Sequence, residues 1–166
     1  MPQAPLRRHR RRNARGGDRP CPDGGGGVSV LLDTGLVFAF LNKRDANHAR
    51  AFELMLCIAN KDFGTPFVTD TVMFELFTLI RSRTGSMTLE ESARRFLPLP
   101  SPSLSGLTAV SLGTEHLESV WEVFRKYRDQ GISFTDAGLI VTMREMGFDR
   151  LATLDARLRG IVPCAE

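Results

Sequence analysis

The chain has 166 residues, 42% of them apolar and 25% charged, the make-up of one soluble globular domain with a core of ordinary size. Its formal charge of +3 is unevenly spread: residues 1–27 hold seven arginines against Asp18 and Asp23, a net +5, and the other 139 residues hold 15 basic and 17 acidic side chains, a net −2. Basicity therefore belongs to a leader, and three cysteines, odd in number and without metal or redox spacing, fit a reducing cytoplasm better than a disulfide framework.

The leader, MPQAPLRRHRRRNARGGDRPCPDGGGG, is rich in Arg, Gly and Pro and has too little apolar surface to offset the entropy of ordering it. It is expected to be disordered, and the folded domain is expected over residues 28–166. An arginine run attracts phosphate backbones, but a solvated tail explains the composition as well. A basic stretch before VSVLLDTGLVFAFL imitates a secretory signal, and Asp33 in the centre of the apolar run argues against one. The uncharged stretch from Phe96 to Thr114 contains Pro98, Pro100 and Pro102, which exclude a membrane-spanning helix.

In chain order, VSVLL (28–32) reads as a buried strand and Thr34 to about Lys43 as a helix. A second helix is expected from Asp45 as N-cap, with Ala49, Phe52, Leu56 and Ala59 at steps of three and four on its apolar face. TPFVT (65–69) is a strand. Asp70 to Arg83 is a helix apolar nearly all round, ended by Gly85, and TLEE (88–91) has the capping-box form for the next helix. LTAVSL follows the proline-rich loop as a third strand. Leu117, Val120, Trp121, Phe124 and Tyr127 mark one face of a helix that stops near Gly131. Ser133 or Thr135 caps a further helix to Met146, RLATL is a fourth strand and GIVP a short fifth. Strands alternating with helices predict an α/β fold, a parallel sheet covered by helices on both faces.

In such a sheet ligands bind beyond the carboxyl ends of the strands. Asp33 directly follows the first strand, Asp155 the fourth, and Asp136 opens a helix that starts at the same rim. Each of the three also suits a helix cap or first-turn carboxylate. Glu75 suits neither: it lies mid-helix among apolar side chains, where an ionised carboxylate needs a metal or a salt bridge, for instance to Arg81 or Arg144. Thr71, Thr78 and Ser82 share its helical spacing and are expected to form a polar stripe with it. Clustered carboxylates without His or Cys select a hard ion, Mg2+ or Mn2+, as one ion or a pair about 3.5–4 Å apart, and such ions activate water against a phosphodiester.

Taken together, VLLDTGLVFAFLN, DANHARA, VTDTVMFEL, ISFTDAGLIVTMREMG and LATLDARL resemble a PIN domain, and specifically the VapC-like ribonuclease toxins, over roughly residues 28–163. The resemblance implies a three-layer α/β/α sandwich around a mostly parallel sheet and a magnesium-dependent endoribonuclease of a toxin–antitoxin pair. It also implies an RNA substrate, a cognate antitoxin and a homodimer, with no membrane partner. It assigns Asp33, Glu75, Asp136 and Asp155 as catalytic, metal-binding acids, with Thr34 and Thr153 as supporting polar residues. The segment after Asp155, ARLRGIVPCAE, departs from the aromatic or histidine pattern common there, and the leader lies outside the family pattern. Arg157 and Arg159 stand beside the rim, able to meet phosphate or solvent. Asp45 and His48 read as a helix cap and a surface histidine.

Two other readings are weaker. LLDTG imitates the Asp-Thr-Gly of aspartic proteases, but those are β-rich and a helical pattern follows here, while Gly35 breaks an Asp-x-Asp phosphatase motif. The rival from another class is a PIN fold that binds RNA or protein without cutting.

Overall fold

A computed structural model describes residues 28–99 and 106–165. The leader and residues 100–105 of the proline-rich loop, with the expectations placed on them, lie outside the described residues. Four strands, β1 (Ser29–Leu32), β2 (Thr65–Thr69), β3 (Thr108–Val110) and β4 (Arg150–Ala152), form one sheet in the order β3-β2-β1-β4, all parallel. The helices flank it: α1 (Thr34–Leu41), α2 (His48–Ala59), α3 (Asp70–Thr84), α4 (Met87–Phe96), α5 (Leu117–Lys126), α6 (Phe134–Met146) and the short α7 (Ala156–Arg159). This is the α/β/α sandwich with a parallel sheet that the alternation predicts. Among the described residues, no helix is long and apolar enough to cross a membrane.

The central strand explains the hydrophobic run that opens the domain. Val30, Leu31 and Leu32 are fully buried because β1 is paired on both sides, Leu31 standing opposite Phe67 of β2 and Leu151 of β4. A strand covered on both faces has no polar face to show, so its sequence does not alternate. At its start, the Val28 carbonyl accepts the Thr65 N–H at 2.9 Å, and Gly64 sits at φ +82° so close beneath that a Cβ would fall 1.5 Å from that carbonyl oxygen. Only glycine fits there.

The expected fifth strand reduces to a single bridge between Leu151 and Cys164. Leu151 N–H reaches the Pro163 carbonyl and Ala165 N–H returns to Leu151, but Pro163 has no N–H to extend the ladder. α2 also differs from expectation. It starts at His48 behind Asn47, and Asp45 accepts the Asn47 N–H at 2.8 Å in the turn before it. It buries Ala51, Met55 and Ile58, leaving Phe52 and Leu56 about half exposed and Ala49 and Ala59 on the surface. Two apolar stripes run along this helix, and periodicity alone does not say which one meets the core.

α4 is capped by Ser86, whose hydroxyl accepts the Leu89 N–H, two residues earlier than Thr88. α3 is ended by Gly85 at φ +59° as expected, but it is not buried on most sides: Val72, Leu76 and Ile80 face the core and Phe74 is 75% exposed. On α5, Val120 and Val123 are buried, whereas Leu117 and Trp121 are about half exposed.

Candidate active site

The parallel order puts the carboxyl ends of β1 and β4 side by side, and the residues that follow them start helices at the same edge. A cleft of about 390 Å³ opens there, lined by Asp33, Thr34, Glu75, Ser133, Asp136 and Asp155, with Asp45, Asn47, Phe38, Arg83 and Arg157 on its rim and walls. All four predicted acids reach one cleft.

Asp33 occupies the N-cap position of α1, but its side chain makes no capping bond. It is 5% exposed and accepts instead from the Thr153 hydroxyl at 2.7 Å. Burial pushes its pKa up to about 7, and the Asp136 and Glu75 carboxylates add to the rise against the opposing pull of Thr153 and the Gly35 amide. The Thr153 hydroxyl also accepts the Asp155 N–H at 3.0 Å, so one side chain ties the two strand-end aspartates together.

Glu75 forms no salt bridge to either arginine suggested by the sequence. Arg81 pairs with Glu90 and Arg144 reaches the Tyr127 hydroxyl. Its Oε2 accepts from the Thr34 hydroxyl at 2.6 Å, a link from α3 to the first turn of α1. The face of α3 that lines the cleft is Glu75, Leu79 and Arg83, at steps of four, while Thr78 and Ser82 are exposed and bond their own helix carbonyls. The expected stripe was displaced because Thr and Ser satisfy themselves on a helix backbone and need no polar neighbour.

Asp136 is the third residue of α6 and both caps and lines the cleft. Its Oδ2 accepts the Ser133 N–H at 2.7 Å while the Ser133 hydroxyl accepts the Asp136 N–H at 3.0 Å, a reciprocal capping box that locks the carboxylate at the helix entrance. Asp155 caps α7 by accepting the Arg157 N–H at 2.9 Å, and the Arg157 side chain pairs with the same carboxylate, holding its pKa below the usual range. Among the described residues, no three His, Cys, Asp or Glu side chains are arranged, as they stand, to hold one ion.

Residues 30–162 match the family model of the PIN domain. The chain belongs to the PIN-domain family. A VapC ribonuclease of Archaeoglobus fulgidus is 24% identical to this PIN-domain chain over 132 residues, 78% of this chain and 79% of that one. Among solved structures, Mycobacterium tuberculosis VapC20, a sarcin-ricin loop cleaving toxin, superposes with a TM-score of 0.66 at 21% identity, over 79% of this chain and 93% of that one. VapBC2 from Rickettsia felis, bound to a DNA fragment from its promoter, superposes with a TM-score of 0.58 at 15% identity, over 83% and 98%. The PIN fold thus accounts for nearly all of the described chain.

Sequence reasoning did not foresee the Arg157–Asp155 ion pair or the cleft positions of Arg83 and Asn47. The two-residue spacing of Asp155 and Arg157 was a readable signal; the other two depend on packing between helices. His48 is half-buried with its Nδ1 2.8 Å from the Ala39 carbonyl, a structural contact rather than the surface position expected.

Proposed function

We propose that this PIN-domain protein is a magnesium- or manganese-dependent endoribonuclease that hydrolyses RNA phosphodiester bonds as the toxin of a VapBC-type pair. The observation that carries the reading is the meeting of Asp33, Glu75, Asp136 and Asp155 at one cleft. Like charges so placed call for a cation. The donor set suits a hard one: the cleft is lined by carboxylate and hydroxyl oxygens, and no His or Cys is among its lining residues.

Asp33, Glu75, Asp136 and Asp155 are the residues that would hold Mg2+ or Mn2+, and a bound ion of this kind supplies an activated water and neutralises charge developing on the phosphate. The protein's own part is orientation. Thr153 donates to Asp33, working against the rise that burial imposes on its pKa, and Thr34 donates to Glu75; each bond fixes the rotamer of its carboxylate. The capping box does the same for Asp136. Arg83 and Arg157 on the cleft are positioned to meet an RNA backbone.

The A. fulgidus relative and VapC20 support a ribonuclease, and the VapBC2 structure supports an antitoxin as partner. Homodimerisation and a cytoplasmic location belong to the same reading. The test is incubation of total cellular RNA with the purified protein in Mg2+, Mn2+ or EDTA, beside an Asp136→Asn variant. Discrete, ion-dependent fragments absent from the variant are expected. Intact RNA under every ion condition, in a preparation shown by mass spectrometry to carry no bound protein, would favour the rival reading of a PIN fold that binds without cutting.

A further inference from the structure

Asp155 differs from the other acids of the cleft in already carrying a cation. The Nε of Arg157 lies 3.0 Å from Oδ1 and 2.9 Å from Oδ2 of Asp155, and Nη2 bonds Oδ2 as well. The other amino group, Nη1, donates to the Gly131 carbonyl at the turn before α6, so the fork is tied on both sides at the lining of the cleft. Among the described residues, the donors to Asp33, Glu75 and Asp136 are neutral: the Thr153 and Thr34 hydroxyls and the Gly35 and Ser133 amides.

A guanidinium fork and a divalent ion compete for the same carboxylate lone pairs, and the fork covers both oxygens at once. The pair is held loosely enough to open. Side-chain exposure is 47% for Arg157 and 24% for Asp155, and partly exposed pairs contribute little to stability. We propose that Arg157 is a built-in counter-ion of the cleft, which sits on Asp155 in the ion-free protein, competes with the divalent ion for that carboxylate, and is released from it when the ion binds. The proposal rests on the reading that the four acids bind such an ion. Its consequence is an ion affinity set below that of the acids alone, with a guanidinium freed at the rim, where phosphate is its natural partner.

Calorimetric titration with Mn2+ of the wild type, Arg157→Ala and Arg83→Ala separates the outcomes. Arg83 lines the same cleft with its guanidinium over the Phe38 ring, so its removal measures the loss of a cleft cation that is not bonded to Asp155 in the structure. Arg157→Ala is expected to bind Mn2+ about fivefold more tightly than wild type, the scale of a lost partly exposed ion pair, and Arg83→Ala to gain clearly less. Equal gains in the two variants, or unchanged or weaker binding by Arg157→Ala while wild type still binds, overturn the proposal and leave the ion site standing. Absence of Mn2+ binding in all three removes the ion site and the proposal together. A second measurement needs no variant protein to bind: the Arg157 Nε–H resonance of 15N-labelled wild type, assigned by its loss in Arg157→Lys, is expected to shift and exchange faster with water as Mg2+ saturates the site. A resonance unchanged at saturation overturns the proposal.

Discussion

Asp33 stands at a helix N-cap without capping, and its burial makes it costly to ionise. The sign of the resulting pH dependence follows from its pKa, about 7 in the folded protein against 3.8 for an ordinary aspartate. Stability from this group is complete below 3.8 and is lost as pH rises through about 7, since the folded state then holds fewer of the protons that favour it. At about 1.4 kcal/mol per pH unit, that span sets a ceiling of roughly 4 kcal/mol. Asp33→Asn keeps the neutral form at every pH. It is expected to raise the melting temperature of the ion-free protein at pH 8, to flatten its decline between pH 4 and 8, and to abolish RNA cleavage. A thermal-melting series in EDTA checks the first two effects and a cleavage assay the third. Thr153→Val removes the hydroxyl that serves both strand-end aspartates. It is expected to lower RNA cleavage by about 10- to 100-fold, as loss of residues supporting metal ligands does, which initial rates in Mg2+ would measure.

At the scale of elements, α6 carries Asp136 at its entrance, and the β1–β2 pairing holds the strand that ends in Asp33. Ser133→Ala removes one half of the capping box of α6, leaving the backbone half from residue 133 to Asp136. The expected loss is about 1 kcal/mol, readable by urea unfolding. Gly64→Ala is expected to be far worse, on the order of 3 kcal/mol or more, because the new Cβ would collide with the Val28 carbonyl at a positive φ. Soluble yield and unfolding midpoint would report it. The helix boundaries near these elements were legible in the sequence wherever a local signal exists. Ser133 and Gly85 act as expected, Gly85 at positive φ, whereas α5 ends at Lys126 and Gly131, also at positive φ, closes a short 3-10 turn after it. The start of α2 and the cap of α4 were misplaced because several Asp, Asn, Ser and Thr residues in each lead-in are chemically equal candidates, and the choice among them depends on where the helix is packed.

For the whole molecule, a ligand that binds only the folded state must stabilise it. Saturating Mn2+ is therefore expected to raise the melting temperature of the wild type, by about 2.7 kcal/mol of stability at a hundredfold excess over the dissociation constant, and much less in Asp155→Asn. Differential scanning calorimetry in Mn2+ and EDTA would settle the comparison. The sequence by itself determined the order of strands and helices, the all-parallel sheet and the four acids at their positions, because periodicity, caps and an uncompensated mid-helix Glu75 are local physical signals. Only the tertiary structure decided which stripe of α2 is buried, that Glu75 meets Thr34 rather than an arginine, and that Asp155 is held by Arg157. Those outcomes turn on which surfaces come to face one another across helices and strand ends, and no spacing along a single element contains that information.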